Sequence, residues 1–182
     1  MKTTEEKLKA GHYEILGETL AKFEFFEAGW NPYERYLDVD KVDLILRCRE
    51  SDQITYREVQ VKYGKLYDVG AAWEKELFDI TSWRFFTENT FAAFHRRQDY
   101  FIAYVLAHDS GYRGDIFIFP PCEFDALIGQ AILSGGKRKV YISRSKREPH
   151  RWFLRKATCF QAIDEQSCIE VTKYRRAFEL LR

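Results

Sequence analysis

The segment from Val42 to Gly64 constrains the fold most. It holds two apolar-rich runs, "VDLILRCR" and "ITYREVQVKYG", separated by "ESDQ" alone. So short a connection predicts an antiparallel hairpin. In the second run Val59 and Val61 alternate with Glu58, Gln60 and Lys62. Alternation at period two puts the valines on one face and an acid, an amide and an ammonium on the other.

The flanking segments predict an α/β domain. Residues from about Thr4 to Ala28 read as a helix, with Leu8, Ile15, Leu16, Thr19, Leu20 and Phe23 recurring at helical spacing. Thr4, Glu5 and Glu6 make its start, Gly29 its stop, and "WNPY" breaks the chain after it. Residues 68 to 94 read as helix in one or two pieces. "DYFIAYVLA" and "DIFIFP" read as strands joined by the turn "HDSGYRG", and "CEFDALIGQAIL" as a helix behind Pro120 and Pro121. "SGGKRK" is a loop, "KVYISRS" and "HRWFLRK" are strands, and the end of the chain reads as a helix with Val171, Tyr174, Phe178 and Leu181 on one face. The expected order is α, β, β, α, β, β, α, β, α around a mixed sheet. No linker divides the chain and no repeat appears, so residues 1–182 are expected to form a single domain.

Net charge of +1 gives no global basic signature, yet charge is segregated. The first fifty residues hold eleven Asp and Glu against eight Lys and Arg. Between Lys137 and Lys156, Glu148 alone opposes a run of Lys and Arg. A local basic surface is enough to meet phosphates. The four cysteines have no metal or redox spacing. The polar N-terminus is no signal peptide, and no stretch approaches the roughly 20 apolar residues of a membrane span. These features predict a cytoplasmic protein with reduced thiols.

Asp43 lies inside an apolar strand, where a carboxylate is costly unless paired or bound to metal. If the hairpin forms, Asp43, Gln60 and Lys62 converge on one sheet edge. Phosphodiester hydrolysis needs such a set. A hard cation takes the oxygens of Asp43 and Gln60, and a lysine holds or deprotonates the attacking water.

At this point the chain resembles the PD-(D/E)XK nuclease superfamily, most closely its small restriction- or homing-endonuclease-like members with a "GE … VDLI … QVK … DYF" pattern. The matching pieces are "LGETLAKFEFFEAGW", "VDLIL", "YREVQVKYG", "DYFIAYVLA" and "DIFIFPP", covering about residues 10 to 121. The resemblance implies a restriction-endonuclease-like domain with an αβββαβ core and a central mixed β-sheet flanked by helices. It implies that Asp43 is a metal ligand, that Gln60 stands at the motif's second acidic position, that Val61 offers its backbone carbonyl to the metal, and that Lys62 is the catalytic lysine. Glu18 matches a first-helix glutamate that assists. It further implies Mg²⁺ (or Mn²⁺), double-stranded DNA as partner and a homo-oligomer, dimer or tetramer. Gln60 in place of an acid removes one negative charge, which Glu18 or Glu58 could compensate. Glu58 is about 7 Å further along the strand and is the weaker candidate.

The expected activity is metal-dependent DNA endonuclease. Two other readings stand beside it: a structure-specific junction resolvase on the same scaffold, and a catalytically silent member that binds nucleic acid or protein. Arg144, Lys146, Arg147 and Arg151 are the candidate DNA-binding residues. Plainer roles compete with each assignment. "QVK" alone is a strand with one wet face. Glu18, about 120° around the helix from Leu16, Leu20 and Phe23 at about 100° per residue, is a flanking solvated residue. The basic run is a solvated hairpin, and Trp152 packs. His95, Arg96 and Arg97 end a helix and favour its C-terminal dipole. The aromatic run "WRFFTENTFAAF" reads as core, not as a stacking platform.

Overall fold

The computed structural model describes residues 4–34 and 41–182, with side chains from residue 11 onward. Helix α1 spans Thr4–Glu27 and ends at Gly29, whose φ of +87° suits glycine alone. Leu8 and the Thr4-Glu5-Glu6 start lie outside the described side chains. The buried face of α1 is not the one expected. Gly17, Ala21, Glu24 and Phe25 are buried, whereas Ile15 and Phe23 are exposed. Small residues set this face because they let the helix approach the sheet. A Cβ on Gly17 would stand 2.9 Å from the Tyr63 Cβ.

After α1, Asn31–Glu34 do more than break the chain: they form an edge strand, β1, where Pro32 is tolerated. Strands β2 (Leu44–Glu50) and β3 (Gln53–Asp68) make the expected antiparallel hairpin, with Leu44 opposite Val59 and Glu50 opposite Gln53. The stretch read as helix over residues 68 to 94 is largely something else. It contains a six-residue helix α2 (Ala72–Leu77), a nine-residue strand β4 (Phe78–Phe86) and a 3-10 turn at Ala92–Phe94. Pairing across the sheet claims the β-branched and aromatic residues of β4.

Strands β5 (Tyr100–His108) and β6 (Gly111–Phe119) pair antiparallel, and α3 (Pro121–Gln130) follows. Then come β7 (Ile132–Ser134), β8 (Lys137–Ser145), β9 (Trp152–Arg155) and β10 (Cys168–Glu170). The expected C-terminal helix is instead β10 and two 3-10 turns, Thr172–Tyr174 and Phe178–Leu181. Arg176 at φ +54° breaks a helical path, and ion pairs of Arg175 with Asp115 and Arg176 with Glu24 fasten the segment. Val171, Tyr174 and Leu181 are still buried. The arginines after Phe94 cap no long helix; Arg97 binds Glu58 and Asp99.

The result is a mixed α/β architecture. One open, mostly antiparallel sheet runs β1-β2-β3-β4-β8-β9-β10, with β5 and β6 joined beside β3, and β7 beside β8. Among the described strands β3 and β5 make the single parallel pair, from Glu58–Tyr100 to Leu66–His108. All of β5 but His108 is buried, as its unbroken apolar run requires. One core lies under α1 and includes Ala21, Phe25, Leu44, Val59, Val61 and Ala103. The larger core lies on the other face, with Ile102, Tyr104, Phe117 and Phe124. The four cysteines are free. Among the described residues no helix is long and apolar enough to cross a membrane.

Candidate active site

The site begins just ahead of β2, which starts at Leu44, so Asp43 precedes the strand instead of lying inside it. The alternation of the strand breaks at Asp43: Leu44 and Leu46 pack in the core under α1, whereas Val42 packs in the opposite core. Lys41 precedes it at φ +55°, its carbonyl held by the Tyr100 hydroxyl at 2.8 Å. The Asp43 amide still donates to the Val59 carbonyl at 3.0 Å. Its carboxylate then replaces the next backbone rung, with Oδ2 accepting from the Val61 amide at 2.6 Å. A strand residue points its N–H and C=O to the same side. The Val61 carbonyl therefore faces the same edge as the Asp43 carboxylate.

Helix α1 brings Glu18 to this edge. Gly17 sits against Tyr63, two residues beyond Val61, so the next side chain reaches the sheet margin. Burial pushes the Glu18 carboxyl above the usual carboxylate range, and the charges of Asp43 and Glu14 push the same way. Lys22 opposes the shift while itself bound to Glu34, the last residue of β1. Two carboxylates drawn together and partly desolvated make a poor resting pair of anions and a fitting one for a cation.

Gln60 and Lys62 flank Val61 and share the face opposite the Val59–Val61 core. Gln60 is 7% exposed. Lys62 is half-buried and lines a cleft of about 340 Å³ together with Tyr13, Tyr63 and Trp83. Tyr13 of α1 stacks on Tyr63 with ring centroids 5.2 Å apart and closes one wall. Nothing in the sequence reading singled out these two tyrosines; the adjacency of Tyr63 to Lys62 was the available signal.

Glu58 does not join the site. It forms an ion pair with Arg97 at 2.9 Å. Among the described residues no group of three or more His, Cys, Asp or Glu is placed to hold a metal. Mg²⁺ keeps several waters and is commonly held by one or two carboxylates plus substrate phosphates. Asp43, Glu18, the Gln60 amide and the Val61 carbonyl are the oxygen donors near this edge that could meet such an ion.

The basic residues lie elsewhere. Arg144 grips both oxygens of Asp79 at 2.6–3.1 Å, Lys146 donates to the Lys75 carbonyl at 2.8 Å, and Arg151 bridges Glu148 and Glu170 at 2.7 Å. These three are already committed to partners within the chain. Arg147 is exposed at the mouth of a separate cavity of about 740 Å³. All four sit on the β8–β9 side, separated from β2 by β3 and β4. Trp152 is fully buried, as expected of a packing residue.

The aromatic run departs from expectation. Phe86 and Phe91 are core, but Trp83 and Phe85 are each 42% exposed on the outer face of β4. No protein-family model, curated protein or solved structure matches the chain.

Proposed function

We propose that this chain is a metal-dependent DNA endonuclease with a restriction-endonuclease-like core. The observation that carries the reading is the Asp43 carboxylate held at the open edge of β3 by the Val61 amide at 2.6 Å, with the Glu18 carboxyl of α1 near enough to feel its charge. Lys62 stands one residue beyond the Val61 amide that Asp43 binds. The element order α1-β1-β2-β3-α2 and the parallel β3–β5 pair support the αβββαβ expectation, with β4 as an additional strand before β5.

In this reading Asp43 and Glu18 would hold Mg²⁺ or Mn²⁺, with the Gln60 amide oxygen and the Val61 carbonyl as further oxygen donors. The cation, when bound, supplies Lewis-acid stabilisation of the phosphate's developing charge. Val61 keeps Asp43 in one rotamer through its amide. Lys62 positions the attacking water and accepts or shares its proton. Gln60, neutral where an acid is usual, lowers the charge of the set and with it the affinity for the cation.

The test is plasmid cleavage with Mg²⁺ or Mn²⁺, comparing the native chain with Lys62→Ala. Metal-dependent nicking by the native chain and its loss in the variant support the reading; equal cutting by both refutes the assignment of Lys62. A second reading is favoured by Gln60 and by the presence of two carboxylates instead of three: a silent member that binds nucleic acid. DNA binding with no cleavage in either metal would select it.

A further inference from the structure

The outer face of the sheet beyond α1 carries rings and cations in alternation. On β4, Trp83 and Phe85 point outward and touch edge to face at 5.8 Å between centroids. Across the pairing with β8, Tyr141 stands opposite Trp83 and Lys139 opposite Phe85. The Lys139 ammonium lies 4.4 Å from the Trp83 centroid and 4.7 Å from that of Tyr141. On the other side of β4, β3 contributes Tyr67, 41% exposed, with the Lys65 ammonium 5.3 Å from its ring. Lys65, Tyr67 and Trp83 also line the cleft that Lys62 lines from the opposite face of β3, so the ring face ends at the cleft of the candidate catalytic lysine.

We infer that this face binds an unpaired DNA strand, with bases stacked on Trp83 and Phe85 and phosphates met by Lys139 and Lys137. The inference rests on the endonuclease reading for the choice of DNA and goes beyond it in naming a substrate with a single-stranded segment beside the scissile phosphate. Two arguments carry it. Exposed rings interleaved with cations match the alternation of bases and phosphates in a single strand, and duplex DNA keeps its bases stacked inside where rings cannot reach them. Neighbouring strands lie about 4.8 Å apart, so three of them give a floor roughly 10 Å wide, enough for two or three nucleotides.

The charge of the face also decides against a second copy of the chain as occupant. Self-docking would bring Lys65, Lys137 and Lys139 against their own kind. Asp109 pairs with Lys65 at 2.7 Å, and Glu14 stands at the far wall of the cleft. Arg84 stands opposite Val140 on the other face of β4 and donates to the Tyr63 carbonyl at 2.8 Å, so Lys137 and Lys139 of β8 carry the phosphate contacts.

The experiment is fluorescence anisotropy of a labelled fifteen-nucleotide oligo-dT with the full chain in EDTA at low salt. A blunt duplex and oligo-U of the same length serve as competitors. Tighter binding of oligo-dT than of the duplex is expected, with a loss of about tenfold or more in the Trp83→Ala/Phe85→Ala double variant, since each stacked ring contributes on that scale. Phe23→Ala, an exposed ring on α1 outside the face, should bind as the native chain does. Equal affinity for duplex, competition by oligo-U alone, or undiminished binding by the double variant overturns the inference. So does a dimer in sedimentation that the double variant abolishes. Both rings are exposed, so an unchanged thermal midpoint in the double variant confirms that the fold is intact. Binding in EDTA needs no cleavage. A failed cleavage assay therefore leaves this result standing, and a failed binding assay leaves the cleavage result standing.

Discussion

Gly17 of α1 touches β3 at Tyr63 so closely that a Cβ at position 17 would lie 2.9 Å from the Tyr63 Cβ. Neither atom is the end of a flexible chain, so a side chain at 17 must move the helix. In an open helix interior Gly→Ala stabilises by about 0.5–1 kcal/mol. Gly11, where a Cβ meets nothing, should show that gain as Gly11→Ala. Gly17→Ala should instead lose stability by about 1–3 kcal/mol through overpacking. Urea denaturation of the two variants measures the contrast; a gain at both positions would show that α1 does not depend on this approach.

Asp43 acts on the backbone as well as on any cation. Asp43→Ala leaves the Val61 amide without its acceptor and should cost about 1–3 kcal/mol of stability. Asp43→Asn keeps a carbonyl oxygen within reach and should cost less, while losing cleavage as fully as the alanine variant. Paired urea melts and plasmid assays separate the two roles. Retained cleavage in Asp43→Asn would remove Asp43 from the cation set.

For Glu18 the pH dependence has a definite sign. A carboxyl raised above its ordinary value binds its proton more tightly in the folded state. Its ionisation therefore costs stability as pH rises from the unfolded value through the raised one. Glu18→Gln should melt about 1–3 °C higher than the native chain at pH 7.5 in EDTA. At pH 4, where the native carboxyl is protonated, the two should melt together. Added Mg²⁺ or Mn²⁺ should raise the midpoint of the native chain and not that of the variant. A variant less stable than the native chain at pH 7.5 would mean that the carboxylate is a stabilising partner, of Lys22 for instance, and not a repelled one.

Arg155 is the most enclosed cation of the β8–β9 half, 3% exposed. It binds Glu74 of α2, the Ser143 hydroxyl at 2.8 Å and the Thr81 hydroxyl at 3.1 Å. Its guanidinium also lies against the rings of Phe78 and Tyr141. Arg155→Met strands a half-buried carboxylate and should cost about 3–5 kcal/mol. The double variant Arg155→Met/Glu74→Leu should recover part of that loss. Strict additivity in a urea-melt cycle would show that the pair is not coupled.

The hairpin and the edge containing Asp43 were legible because period-two alternation and a four-residue connection leave few alternatives. The buried face of α1 was not, because Gly17 and Ala21 carry little hydrophobic signal although closeness of approach selects them. Strand β4 was misread as helix because its partner β8 lies more than fifty residues on in the chain, and local pattern carries no information about it. The commitments of Arg144 and Arg151 were hidden for the same reason: Asp79 and Glu170 approach them only in the fold. Trp83 and Phe85 were read as core on composition, whereas only tertiary structure reveals which rings in a run remain uncovered.

The parallel pairing of β3 with β5 has a consequence for the order in which the protein is made. Asp43, Val61 and Lys62 all leave the ribosome before β5 does, yet β3 gains that neighbour only after α2, β4 and the turn behind it have been synthesised. Contacts that close long stretches of chain form late and slowly. A nascent chain halted before Tyr100 would expose every chemical group of the edge while lacking the strand that holds β3 straight. The constellation is thus assembled only after β5 has been made, and chains that stop short of it carry the parts of the edge without its geometry.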